Sequence, residues 1–165
     1  MVHEAVYIIP KDGLKCFVGA IQAIGKIGKE LSFGAGANGV ILRTLNESHS
    51  ASCEFVFTQM FFESVHVPIV YENENFKCKV FVKAFQNVFR TVKRVVEQLD
   101  VIIKIDETDQ SVANLVFQLH CEQRITKTFC LGISDCQVVR AMFDKENTPN
   151  RWVFFLANRV YFNRC

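Results

Sequence analysis

Proline and glycine are scarce in the 165 residues, at 3 and 8, which excludes collagen-like and low-complexity disordered chains. A dominant charge is missing too. The 19 Lys and Arg against 17 Asp and Glu leave a formal net charge of +2, too small to announce a nucleic-acid binder by balance alone. Such a role must rest on where the charges sit. No apolar run approaches the 18 or so residues of a membrane span, and the start Met1-Val2-His3-Glu4 lacks the basic and apolar stretches of a signal peptide. No membrane partner is expected, and the setting is cytosolic or nuclear. The seven cysteines are an odd number without a disulfide-framework spacing, and most sit within apolar alternation, where a thiol behaves as a small hydrophobe. A reducing compartment follows. What is abundant is apolar content, 50% of the chain, enough for one compact domain.

Two stretches carry the 3.6-residue period of a helix. Residues 12 to 27 set Leu14, Phe17, Val18, Ile21 and Ile24 on one face, with Asp12 as N-cap and Gly28 as terminator. Residues 83 to about 96 do the same with Phe85, Val88, Phe89, Val92 and Val95. Elsewhere the period is two, as in strands. It predicts strands over residues 4–9, 30–33 and 40–45, one carrying Cys53, Phe55 and Phe57, and others over 76–82, 99–105, 113–121 and 125–133. Residues 34 to 39 form a hairpin turn, 58 to 64 one or two helical turns, and 65 to 75 a loop. The order strand, helix, strands thus occurs twice. That predicts an α+β domain of pseudo-twofold character, with both helices on one face of largely antiparallel strands.

At 100° per residue, Lys15, Gln22, Lys26 and Lys29 fall within about 40° of one another, opposite the apolar face, and Lys11 joins them if the helix begins early. Lys83, Asn87, Arg90 and Arg94 do likewise on the second helix. A solvated helix face carries such residues for solubility alone, and composition leaves that reading open beside sequence-independent contact with phosphates. Other chemistries find less support. His120 and Cys121 are adjacent and point to opposite faces of a strand, and Cys130 and Cys136 lack metal-ligand spacing. The segment from Gly34 to Gly39 lacks the lysine of a phosphate loop and precedes a strand. Glu72 with Glu74, and Asp106 with Glu107 and Asp109, sit in polar loops. No catalytic residue, metal or cofactor is expected. One of the last two strands is expected to form an edge, either paired with a partner or protected by Thr126 and Lys127.

The run Leu42-Arg43-Thr44-Leu45-Asn46-Glu47-Ser48-His49-Ser50-Ala51-Ser52-Cys53, with Phe61-Phe62 after it, closely resembles the N-terminal domain of the Rad-nine family, a subunit of the nine-one-one checkpoint clamp. The likeness extends through Ala20-Ile21-Gln22-Ala23-Ile24-Gly25-Lys26-Ile27-Gly28, Phe76-Lys77-Cys78-Lys79, Val88-Phe89-Arg90, Lys127-Thr128 and Asp135-Cys136, and covers about residues 5 to 148. It implies a sliding-clamp (DNA clamp) domain, two helices packed on antiparallel sheets, with the helices lining a pore around duplex DNA. It implies as partners two sister checkpoint-clamp subunits in a heterotrimer, a clamp loader, and duplex DNA bound without sequence preference, all in the nucleus. Carried over, Lys15, Gln22, Lys26, Lys29, Lys83, Asn87, Arg90 and Arg94 are the DNA-facing helix residues. The chain then divides into a clamp-like domain over residues 1–133, a connector over 134–151, and an aromatic tail over 152–165 where a second clamp domain would follow. The implied role is non-catalytic, in DNA damage checkpoint signalling and repair. The alternative is a truncated protein-interaction domain that binds clamp partners without forming a DNA-encircling ring.

Overall fold

The computed structural model describes residues 2–69, 76–90, 95–106 and 112–134. The connector after Ser134 and the aromatic tail lie outside them. Alternation of Ala5, Tyr7 and Ile9 inward builds the first strand, β1 (Val2–Pro10), which passes directly into α1 (Lys11–Ile24). The next three strands are β2 (Glu30–Gly36), β3 (Gly39–Leu45) and β4 (Ser52–Thr58). A single 3-10 turn (Gln59–Phe61) and a short strand, β5 (Ser64–His66), end the first unit. The second repeats the order with β6 (Phe76–Phe81), α2 (Val82–Phe89), β7 (Val96–Asp106), β8 (Val112–Cys121) and β9 (Ile125–Leu131).

The fold is α+β, two helices against two antiparallel sheets. One sheet runs β5-β1-β7-β8-β9 and the other β4-β3-β2-β6. The first strand of each unit pairs with the second strand of the other, β1 with β7 and β6 with β2. The antiparallel strands are thereby divided between two sheets. Lys79 and Ser134 exchange backbone hydrogen bonds of 2.9 and 3.0 Å, which ties the end of the five-stranded sheet to β6. Between the sheets lies an aromatic core. The fully buried ring of Phe85 stands 5.0 Å from Phe117, 5.7 Å from Phe89, 6.3 Å from Phe33 and 6.4 Å from Phe17. These are separations at which edge-to-face pairs are favourable.

Several boundaries depart from expectation. Asp12 is not the N-cap of α1. That position belongs to Pro10, and Asp12 sits in the first turn, where a carboxylate still complements the helix dipole. α1 stops at Ile24, three residues earlier than its period predicts. The chain must pass against the end of β3, where a Cβ on Gly28 would stand 2.0 Å from Thr44 Oγ1 and 2.8 Å from the Leu45 carbonyl oxygen. α2 stops at Phe89. Val95, placed on its apolar face by period, is an exposed turn residue, and Val96, its expected end, is a buried strand residue opposite Cys121, because pairing overrides the weak helix preference of a β-branched side chain. Val92 lies outside the described residues. The hairpin between β2 and β3 is tighter than expected, with Gly36 paired to Gly39, whose φ of +123° calls for glycine. Ser64, expected to end a helical turn, and Val65 and His66, expected as loop, add β5 to the edge of β1.

Candidate nucleic-acid interface

The helical period that buries Leu14, Phe17, Ile21 and Ile24 of α1 turns Lys11, Lys15 and Gln22 to solvent. In α2 it buries Val82, Phe85, Val88 and Phe89 and exposes Lys83 and Asn87, with Arg90 exposed at the C-cap. The helices pack against each other, so the two exposed faces meet. Between them runs a groove of about 400 Å³, lined by Val18, Ile21 and Gln22 from α1 and by Lys83, Gln86, Asn87, Phe89 and Arg90 from α2 and its cap. The only acidic residue in either helix, Asp12, lies off the α1 stripe. The surface is therefore cationic and amide-bearing, over an apolar floor.

Of the eight residues singled out from sequence, the groove brings together Gln22, Lys83, Asn87 and Arg90. Lys15 lies on the same stripe of α1, outside the groove lining. Lys26 and Lys29 are not helical, because α1 ends before them. Lys26 is exposed in the turn that follows, and Lys29 stands at the entry to β2. There its ammonium donates to Glu47 on the loop between β3 and β4. The hydrogen bond and opposite charge hold the Lys29 amine above its usual range and the Glu47 carboxyl below its own. Arg94 lies outside the described residues. Sequence reasoning missed Gln86 and Glu47. Gln86 faces α1 at Gly25, where a Cβ would meet its Nε2 at 2.0 Å, and Glu47 meets Lys29 only through the fold.

A second polar array lies on the solvent side of the five-stranded sheet, away from the helices. Gln98 Nε2 donates to Asp100 Oδ1 at 2.7 Å, Asp100 Oδ2 meets His120 Nε2 at 2.7 Å, and His120 Nδ1 meets Thr126 Oγ1 at 3.3 Å. This accounts for His120 as a strand-surface residue whose role is to link β7, β8 and β9. Among the described residues no group of three or more His, Cys, Asp or Glu side chains is placed to hold a metal ion. β8 is interior and β9 is the edge. Thr126 and Lys127 are exposed on it, as is Ile125 at 50%.

Three comparisons bear on this arrangement. A family sequence profile described as Rad9 matches residues 17–159. The Drosophila melanogaster protein described as cell cycle checkpoint control protein Rad9 is 25% identical over 144 residues, 87% of this chain and 30% of that protein. The crystal structure of PCNA from Thermococcus kodakaraensis superposes with a TM-score of 0.61 at 15% identity, over 92% of this chain and 51% of that one. The chain thus spans about a third of the curated relative and half of the structural one.

Proposed function

The chain belongs to the Rad9 family, and from that premise we propose that it is a non-catalytic subunit, or part of one, of a heterotrimeric checkpoint clamp that encircles duplex DNA at damage sites. Its partners in this reading are two sister clamp subunits and a clamp loader, its compartment is the nucleus, and its contribution is to DNA damage checkpoint signalling and repair. Residues 1–133 act as the clamp domain, followed by a connector over 134–151 and a divergent aromatic tail over 152–165. The observation that carries the reading is the shared outer face of α1 and α2. It sets Lys15, Gln22, Lys83, Asn87 and Arg90 toward solvent with no carboxylate on either stripe. A duplex presents a regular array of phosphates, which long cationic side chains on rigid helices contact without reading sequence. Lys26, Lys29 and Arg94 extend the proposed DNA-facing set.

Mixing the chain with its two sister subunits and measuring mass separates the outcomes. A closed ring supports the clamp reading. An open subcomplex supports the alternative, an interaction domain that binds clamp partners without encircling DNA, for which the exposed edge β9 is the supporting surface. No complex sinks both. In the assembled form, Lys26→Ala combined with Arg90→Ala weakens duplex association with little sequence preference. Unchanged association removes the helix face from the DNA-facing role.

A further inference from the structure

Contact with phosphates needs only donors and positive charge, and Lys83 and Arg90 supply both. Yet the groove between α1 and α2 also holds three carboxamides, Gln22, Gln86 and Asn87, above the apolar side chains of Val18, Ile21 and Phe89. A carboxamide donates and accepts at once. That match suits the edge of a nucleobase, which presents both kinds of group, and is superfluous for a phosphate, which presents acceptors alone. Gln86 Nε2 occupies space that any side chain at Gly25 would fill. The volume of about 400 Å³ lies within the range of small-molecule sites.

We propose that this groove takes a single unstacked nucleotide of a nucleic-acid strand. Its base lies on the apolar floor with its edge to the carboxamides, and its phosphates meet Lys83 and Arg90. The inference rests on the DNA-facing reading of this surface and sharpens it from backbone contact to a nucleotide site. A base held in a duplex must leave its stack to enter such a groove, so the site favours single-stranded or frayed DNA. The test titrates this chain with fluorescein-labelled oligodeoxythymidine and with a blunt duplex of equal charge, at one salt concentration. The single strand is expected to bind at least about fivefold tighter, as one buried base contact provides. That ratio should fall to about one in Gln86→Ala and in Val18→Phe, which fills the floor, with folding checked by circular dichroism. Equal binding of the two probes, or a ratio that both variants leave intact, overturns the nucleotide site while leaving the DNA-facing reading in place. Salt-independent or absent binding of both probes overturns the nucleotide site, while the DNA-facing reading is decided by duplex association in the assembled form.

Discussion

Lys29 and Glu47 are bound to each other on a fully exposed surface, and this changes what Lys29 contributes to a phosphate-facing set. An exposed pair of this kind is held weakly, yet a phosphate that recruits Lys29 must still displace the Glu47 carboxylate. Lys83 appears in no ion pair among the described residues and meets no such competition. In duplex titrations across salt, Lys83→Ala is expected to lower the slope of log K against log salt by about 0.9, the value for one phosphate contact, and Lys29→Ala by clearly less. Equal losses would show that the Glu47 contact opens freely on binding. The cysteines allow a second check at this scale. Burial pushes the Cys16 and Cys53 thiols up, Cys78 and Cys121 are buried, and Cys130 is exposed. Because the thiolate is the reactive form, alkylation at neutral pH followed by peptide mapping should modify Cys130 first of these five and Cys78 and Cys121 last. Prior labelling of Cys16 would contradict the packing of α1.

Each helix reaches its sheets through aromatic rings, and Phe85 is where they converge. Phe17 brings α1 to it, Phe33 the four-stranded sheet and Phe117 the five-stranded one. Phe85→Ala leaves a cavity shared by three elements and is expected to cost about 3–5 kcal/mol in urea unfolding; a loss under about 1 kcal/mol would mean the rings repack around the gap. A buried polar contact also joins the sheets, the fully buried Tyr7 hydroxyl donating to the Gly36 carbonyl oxygen at 3.0 Å. Burial pushes that phenol's ionisation far up. Tyr7→Phe strands the carbonyl and should cost about 1–3 kcal/mol. The faces of both helices were readable in the sequence because the period of apolar residues is set by core contact. Their ends were not, because they are decided elsewhere. α1 ends at Ile24 and the chain then runs close against Thr44 at Gly28, while Val96 pairs with Cys121 in the five-stranded sheet. β5 escaped for a related reason, since three residues carry too little alternation to show a period.

The order of the longer elements was readable over the described residues, as was the twofold repeat, but local pattern did not show how the strands divide between two sheets. That division depends on β1 pairing with β7 and β2 with β6, contacts between residues far apart in sequence that no local pattern encodes. The candidate interface divides along the same line. Its α2 residues followed from period alone, whereas the groove and its Gln86 wall needed the two helices side by side. Charge shows the same effect at the scale of the molecule. A net charge of +2 treats the surface as uniform, while Lys11, Lys15, Lys26, Lys83 and Arg90 are all exposed on or just beyond the two helices. If duplex DNA meets that face, the salt dependence counts the cations at the contact and ignores the average. Five contacts at about 0.9 each predict a slope of log K against log salt of about −4 to −5, where the net charge alone would give about −2. Substituting Lys15, Lys83 and Arg90 together by Ala should bring the slope to about −2. A slope near −2 in the unaltered chain, or one indifferent to those three changes, would place the DNA contact on some other surface.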